Sequence, residues 1–390
     1  MKLAGLPLEL AGYRGESITN RQFVEFDLTR MDRYYLPRAL TTLVDQPPTE
    51  WWEFIEDDNR GAVSPHSIAT LDGKEFFLSV KGVGSTLDPY SWRSLDRAYA
   101  AELTGEPAVR ERLQREPANG SDRIITGELW LRGSPYGGQG LEHARTALRV
   151  SETADLTSIG GFLIAPVVKI CLLPLELEEQ LRSIHWYRHY RGRMVQELRL
   201  VPSNIRIYFH AKNTVGNNVA NVFDLFSIDS NDRALRFETN FVRSGMAMLT
   251  LFARTLTRDD AAGNYRGLDF HDVWLDKDAV VAPNGAVYFV DLEGIEEIAV
   301  DRAAVKEKIE DQIYRSLYEL TFAYEALERE RARRFGDGGA RKPHFEGILR
   351  AALRDDRFVR VREDGPHRVL EIQTKCQEES LVTRFPAVDG

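Results

Sequence analysis

The chain is poor in the residues that mark secreted, metal-stapled or membrane-spanning proteins. Its 390 residues include only two cysteines, Cys171 and Cys376, which cannot form a disulfide framework and lack metal-ligand spacing. No apolar run approaches the roughly 20 residues that a membrane-spanning helix needs. The apolar N-terminal stretch is also interrupted too early for a signal peptide. We therefore expect a soluble protein of the reducing cytoplasm with no membrane contact.

The chain also lacks an excess of positive charge. Its 51 lysines and arginines are outnumbered by 60 aspartates and glutamates, giving a net charge of −9. A general nucleic-acid binder needs a basic face that displaces counterions from phosphates, so we expect no nucleic-acid partner. A local basic pocket for a single nucleotide remains compatible with this balance. The apolar content of 43% and charged content of 28% are those of an ordinary globular protein.

Two turns that contain glycine predict β-hairpins. Asp72-Gly73 precedes the apolar run 76–80, so we expect paired strands over residues 66–80, followed directly by Lys81. Pro283-Asn284-Gly285 separates two apolar segments and predicts a second hairpin.

Asp278 and Asp291 lie at the two ends of this second hairpin. Asp291 follows a strand that reads as buried, and a buried carboxylate needs a partner or a metal. Mg²⁺ prefers oxygen ligands, so the two carboxylates are suited to share one ion. The alternative is that each aspartate only caps a turn.

Helical patterns separate and follow the hairpins. A glycine-dense loop at 133–140 leads into an amphipathic helix over 141–161, and residues 246–256 are apolar enough for a buried helix. Apolar residues at helical spacing from Ile309 to Leu327 predict a long helix over 303–333. The order is therefore a strand ending in lysine, a glycine loop, a helix with acids, and a distant hairpin ending in Asp-x-x-Gly. Kinase-type phosphoryl transfer needs these parts.

Four segments resemble a known family in its own order: LSVKGVGST (78–86), ELRLVPSNIRI (197–207), HDVWLDKD (271–278) and FVDLEG (289–294). Together they resemble the selenoprotein O family, pseudokinase-like enzymes that bind ATP in a flipped orientation and transfer AMP to protein hydroxyls. The family's lysine motif continues directly into Thr-Pro-Tyr. Here Ser134-Pro135-Tyr136 resumes that pattern after an insertion.

The resemblance implies a role for particular residues. ATP phosphates would be bound by a set of basic and glycine residues: Lys81, Gly82, Gly84, Arg199 and Arg206. Arginine suits this role because its planar fork binds phosphate oxygens bidentately.

The same resemblance places acids in the site. Glu152 would stand opposite Lys81, with Glu142 and Asp155 as alternatives, and Asp278 and Asp291 would bind Mg²⁺ or Mn²⁺. Lys277 stands where the family has its catalytic aspartate, so Asp276 is the candidate for that catalytic role and Asp272 the alternative.

We therefore expect a bilobal, protein-kinase-like α+β fold. Its predicted parts are an N-terminal extension (1–65), an N-lobe (66–175) with an insertion at 87–133, a C-lobe (176–335) and a C-terminal module (344–390). The expected function is transfer of AMP from ATP to a protein hydroxyl. Two alternatives remain: a kinase that transfers the γ-phosphate to a protein or small molecule, and an inactive pseudokinase scaffold. Alone, Lys81, Arg199 and Arg206 also fit ordinary surface positions.

Overall fold

The computed structural model of the chain describes residues 16–24, 55–57, 61–71, 73–83, 139–153, 164–183, 192–203, 205, 222–255, 257–259, 264–269, 275, 278–336, 359–364, 367–373 and 380–385. The chain divides into two compact units. The first consists of Met1–Ala154 and Pro166–Asn204, and the second of Asp155–Ala165 and Ile205–Gly390. Both contain helices and strands, which confirms the predicted α+β class.

The first unit is built on a six-stranded sheet whose order is β1-β5-β6-β4-β3-β2. Every neighbouring pair in this sheet is antiparallel. Its elements are β1 (Ser17–Thr19), β2 (Ile55–Asp57), β3 (Gly61–Leu71), β4 (Lys74–Lys81), α1 (Leu141–Thr153), β5 (Val167–Leu172), α2 (Leu175–Ser183) and β6 (Val195–Val201).

The predicted first hairpin is confirmed as β3 and β4. Leu71 pairs with Lys74 across the turn, and Gly73 has a φ of 71°, a left-handed conformation that glycine adopts without steric cost. Alternate residues of β4 face opposite sides of the sheet, so Phe76, Leu78 and Val80 share one buried face.

Helix α1 packs against the sheet through its small and apolar face. Leu141, Ala144 and Leu148 recur at helical spacing and are buried. Near the end of the helix, the Ser151 hydroxyl accepts a hydrogen bond of 3.0 Å from the Val167 amide at the start of β5. The predicted helix over 141–161 is therefore present over Leu141–Thr153.

The six-stranded sheet extends across two of the domain boundaries that were predicted from the sequence. The predicted boundary after residue 175 falls between β5 and β6, which are adjacent strands. Strands β1 and β2 come from the predicted N-terminal extension and join the same sheet. The strands that pair are far apart in the sequence. A three-residue strand carries too little local information to identify its partner, and the proline-containing connector before α2 gives no such information either.

The second unit combines helices with small antiparallel sheets. Its elements are α3 (Val222–Leu225), α4 (Asn231–Thr255), β7 (Thr257–Asp259), β8 (Asn264–Asp269), β9 (Ala279–Val281), β10 (Val287–Phe289), β11 (Glu296–Val300), α5 (Arg302–Phe335), β12 (Val359–Asp364), β13 (His367–Gln373) and β14 (Ser380–Phe385). The buried and long helices expected at 246–256 and 303–333 lie within α4 and α5. These helices approach closely, because a Cβ built on Gly245 of α4 would lie 2.7 Å from Leu320 of α5.

The predicted second hairpin is confirmed as β9 and β10, and it rests on α4. The Asn240 side-chain amide donates to the Asn284 carbonyl at 2.8 Å. The Val287 amide donates to the Ser244 hydroxyl at 2.8 Å. Gly285 has a φ of 90°, and a Cβ there would lie 2.2 Å from the Phe237 carbonyl oxygen. One face of α4 therefore fixes the turn of the hairpin.

The segment predicted as a C-terminal module contains an antiparallel meander. Strand β13 pairs with both β12 and β14. Across the ranges given above, no helix is both long and apolar enough to cross a membrane.

We expect Gly285→Ala to lower the free energy of unfolding of the second unit by more than about 2 kcal/mol. A left-handed alanine costs about 1–2 kcal/mol by itself, and the added methyl group would overlap the Phe237 backbone. The matched control is Gly73→Ala, where φ is also positive but nothing lies within 4 Å of the added Cβ. Urea unfolding measures both. Equal losses in the two variants would show that the contact with Phe237 is unimportant.

Candidate functional site

Lys81 ends the central strand β4 and is only 6% exposed. It pairs with Gly61 of β3 on one side and with Glu197 of β6 on the other. Directly opposite residues in antiparallel strands point to the same face, with Cβ atoms about 5 Å apart. The lysine of the first motif is therefore a buried residue beside a carboxylate, rather than a solvated residue at a strand end.

Glu197 and Arg199 form a buried ion pair on this face. They are two residues apart on β6, so their side chains share one side of the strand. The Arg199 Nη2 atom donates to the Glu197 Oε1 atom. Glu197 is fully buried and Arg199 is 2% exposed. Ser79 of β4 lies directly opposite Arg199. The buried polar group on this face thus contains two cations and one carboxylate.

Gln139 joins this group from the segment that precedes α1. Its side-chain amide donates to the second carboxylate oxygen, Oε2 of Glu197, at 3.0 Å. Gly82 makes this approach possible: a Cβ at Gly82 would lie 2.5 Å from the Val195 carbonyl oxygen and 2.8 Å from the Gln139 Cβ. Gly82 also has a φ of 91°. Within the first unit, the glycine after Lys81 is therefore required by protein packing.

Glu152, the acid expected opposite Lys81, contacts a different part of the sheet. Its carboxylate accepts a hydrogen bond of 3.0 Å from the Arg21 amide and lies 3.9 Å from Arg21 Nε. Arg21 follows β1, and two strands separate β1 from β4. Helical spacing in the sequence predicts which side of α1 faces the sheet, but not where α1 lies along the sheet. This explains why Glu152 contacts Arg21 and not Lys81. The alternative Glu142 is exposed and pairs with Arg145.

Asp278 and Asp291 lie just beyond the strand ends at the open end of the second hairpin. The Val290 amide donates to the Asp278 carbonyl at 2.9 Å, which continues the β9–β10 pairing by one step. Asp278 is 2% exposed and Asp291 is partly buried. Asp291 precedes a short 3₁₀ turn, Leu292–Gly294, but its side chain does not cap that turn. The alternative that Asp291 only caps a turn is therefore wrong.

A buried glutamate of α5 contacts the segment before Asp278. The Leu275 amide donates to the Glu319 Oε2 atom at 2.6 Å, and both residues are 2% exposed. A charged acceptor makes this hydrogen bond stronger than one between neutral groups. Glu319 thereby fixes the backbone three residues ahead of Asp278.

Several predicted residues lie outside the described ranges: Gly84, Arg206, Asp276, the alternatives Asp155 and Asp272, and Lys277. Their predicted roles remain predictions. The insertion at 87–133 also falls outside the described residues.

The buried group of the first unit suits an anion. Lys81 and Arg199 are basic side chains in a desolvated setting, where an anion interacts more strongly than in water. The Arg199 Nε atom is buried and has no hydrogen-bond partner among the residues the structure describes. A buried, unsatisfied guanidinium nitrogen favours an additional acceptor, such as a phosphate oxygen.

Asp278 and Asp291 carry the oxygen ligands that Mg²⁺ prefers. No group of three or more His, Cys, Asp or Glu side chains in the described part of the chain is arranged to hold a metal ion. Mg²⁺ commonly binds to one or two carboxylates together with substrate phosphates and water. Asp278 and Asp291 match that smaller donor set.

Other reactive groups in the described residues have structural explanations. Burial raises the pKa of the Cys171 thiol to about 11, despite the opposing charge of Lys169, so a thiolate nucleophile is disfavoured. In the second unit, Arg331 of α5 donates from Nε to the Glu238 carboxylate of α4 at 2.8 Å. This fully buried pair joins the two long helices.

Sequence reasoning missed Glu197, Gln139 and Glu319. The Glu197–Arg199 spacing was a usable signal, because two charges at i and i+2 in a strand must share a face. Gln139 lies within the glycine-dense loop that the sequence singled out, but nothing local shows its partner. Glu319 reads as an ordinary polar residue of a long helix.

Comparison with protein-family models, curated proteins and solved structures finds no match for this chain. The resemblance to the selenoprotein O family accordingly stays a prediction that rests on the quoted motifs.

We expect the stability of the second unit to fall as pH rises through about 7 because of Glu238. Burial outweighs the attraction of Arg331 and raises the pKa of the Glu238 carboxyl to about 7. The folded chain therefore binds more protons than the unfolded chain between about pH 4.5 and 7. This contribution is complete below that window and lost above it, with a magnitude of about 3 kcal/mol.

Urea unfolding at pH 5 and pH 8 tests this expectation. Glu238→Gln should flatten the pH dependence, because the glutamine side chain does not titrate. Glu325→Gln, at an exposed position of α5, controls for the loss of one charge. A profile as steep in Glu238→Gln as in the wild type would contradict the assignment.

Proposed function

We propose that this chain is an ATP- and metal-dependent transferase on a kinase-like fold, and that it transfers AMP to a protein hydroxyl. The proposal combines the resemblance to the selenoprotein O family with the buried cationic group of the first unit. In this reaction the acceptor oxygen forms a bond to the α-phosphorus of ATP. The bond from that phosphorus to the oxygen bridging to the β-phosphorus breaks, pyrophosphate leaves and the hydroxyl proton is released.

The single observation that carries the proposal is the buried group of Lys81, Arg199 and Glu197. The Arg199 Nε atom in this group is buried and has no hydrogen-bond partner among the residues the structure describes, and a buried donor without an acceptor is costly. A phosphate oxygen would supply that acceptor.

The order of elements in the first unit supports a kinase-like small lobe. Among the described elements, strand β4, which ends in Lys81, is followed by helix α1 and then by β5 and β6. In protein kinases the phosphate-binding lysine likewise lies on a strand that precedes a helix of the small lobe. We propose that the first unit is the small lobe and that residues 205–336 form the larger lobe.

Asp278 and Asp291 are the residues that would hold Mg²⁺ or Mn²⁺. Such an ion would neutralise charge on the phosphates. The chain restrains the backbone near both acids: the amide of Val290, which precedes Asp291, donates to the Asp278 carbonyl, and the Glu319–Leu275 hydrogen bond restrains the segment leading to Asp278.

Two other functions are compatible with these residues: a kinase would use all of them, and an inactive scaffold would use only some or none. A kinase would transfer the γ-phosphate with ATP in the opposite orientation. An inactive pseudokinase scaffold is favoured by Lys277, which occupies the position of the family's catalytic aspartate, and by the internal pairing of Arg199 with Glu197.

Incubation with ATP labelled at the α- or γ-phosphate, in the presence of Mn²⁺, separates these functions. We expect the α-label to become bound to protein, the chain itself included, and the γ-label to leave as pyrophosphate. Protein-bound γ-label would instead identify a kinase. No transfer of either label, together with no thermal shift on adding nucleotide, would support the scaffold.

We expect Asp291→Ala to abolish transfer while the chain remains folded. Asp291 is partly buried, and its side chain does not cap the turn that follows it. The substitution therefore removes a charge from the site and leaves the turn without a lost capping bond. Asp229→Ala is the control, because that aspartate forms an exposed pair with Arg233 and such pairs contribute little. Circular dichroism and label transfer are the measurements. Wild-type transfer by Asp291→Ala would exclude this residue from the site.

A further inference from the structure

The acid directly opposite Lys81 in the first sheet comes from a strand and not from the helix. Glu197 of β6 lies directly opposite Lys81 of β4, whereas Glu152 of α1 contacts Arg21 at the β1 edge. Antiparallel pairing fixes the Glu197 backbone relative to Lys81 through hydrogen bonds on both sides of the residue. Neighbouring strands thus set the register between this acid and Lys81.

Both oxygens of Glu197 have partners within the first unit. Oε1 accepts from Arg199 and Oε2 accepts from Gln139. All three residues are at least nine-tenths buried. A carboxylate with hydrogen bonds to both oxygens has little freedom to rotate, so it can orient whatever it binds.

Glu197 orients the Arg199 guanidinium through only one of its nitrogens. The contact uses Nη2, while the buried Nε has no hydrogen-bond partner among the described residues. Guanidinium has five N–H donors in a rigid plane, so fixing one nitrogen sets the direction of the others. The buried Nε donor is thereby held in one direction, toward an acceptor of suitable geometry.

We infer that Glu197, supported by Gln139, is the positioning residue that orients Arg199 beside Lys81 for a phosphate-bearing ligand. The inference rests on the proposed function, because the ligand is the triphosphate of ATP. It replaces the lysine–helix acid arrangement that the sequence predicted with one built on adjacent strands. Glu152 has no part in the site.

The expected effect of Glu197→Gln on kcat and KM differs from that of a general loss of structure. Glu197→Gln removes a negative charge beside two cations, so attraction for an anionic nucleotide should not weaken. Arg199 loses its fixed orientation, and preorganised donors matter most where charge changes in the transition state. We therefore expect kcat to fall at least tenfold while the KM for ATP stays within threefold of wild type or decreases.

The experiment compares wild type, Glu197→Gln and Glu152→Gln. Turnover is followed as release of pyrophosphate or phosphate from ATP, which needs no identified acceptor because water can accept the transferred group. Rates are divided by the number of nucleotide-binding sites measured by equilibrium dialysis, so a partly unfolded sample does not imitate a lower kcat. Glu152→Gln should retain kcat and KM within twofold of wild type.

A double-mutant cycle tests whether Glu197 acts through Arg199. If it does, the Glu197→Gln/Arg199→Gln double variant should lose no more than twofold beyond Arg199→Gln alone. Should Glu197→Gln fail to fold, Gln139→Met, which keeps the length but removes the donor, should lower kcat threefold or more without raising KM. Either pattern supports the inference.

Other results overturn it and separate it from the proposed function. Suppose that the wild-type chain turns over ATP. A normal kcat in the folded Glu197 or Gln139 variant, or a loss of kcat in Glu152→Gln, would then refute the positioning role alone. Fully multiplicative losses in the double variant would show that Glu197 acts independently of Arg199. A wild-type chain that neither binds nor turns over ATP would refute the proposed function, and the positioning role with it.

Discussion

A carboxylate in the interior of an antiparallel sheet has to be neutralised and hydrogen-bonded by its neighbours. Glu197 meets this requirement through Arg199 on its own strand and Gln139 before α1, with Lys81 directly opposite. Removing one partner of a buried ion pair typically costs about 3–5 kcal/mol. The local fold of the first unit is therefore coupled to these side chains: strand pairing, the approach of Gln139 and the glycine at position 82 all depend on the same group.

The second unit uses a different constraint to place its acids. Helix α4 fixes the turn of the β9–β10 hairpin through Phe237, Asn240 and Ser244. Pairing of the two strands continues to Asp278, whose carbonyl accepts a hydrogen bond from the amide of Val290, the residue before Asp291. Both acids therefore lie directly beyond paired strands. A site built on strands is held more precisely than one built on loops.

The contrast between the two units bears on function. A cationic, desolvated group suits phosphate oxygens, whereas two neighbouring carboxylates suit a hard cation. Each group alone also fits a purely structural purpose, as the Glu238–Arg331 pair between α4 and α5 illustrates. Their joint occurrence with the motif order of a phosphate-transferring family is the basis of the transferase proposal. An unsatisfied guanidinium nitrogen in the first group gives that proposal a physical target.

The amino-acid sequence by itself determined the elements whose signals are local. Asp72-Gly73 and Asn284-Gly285 specified two hairpins, helical spacing specified α1 and α5, and apolar content specified only the last part of α4, because these signals act within a few residues. Only the tertiary structure decided which strands pair, and hence that Glu197 faces Lys81 while Glu152 reaches Arg21. The domain limits followed in the same way, since β1, β5 and β6 joined one sheet. Long-range strand pairing depends on burial across the whole unit, and no short segment encodes its partner.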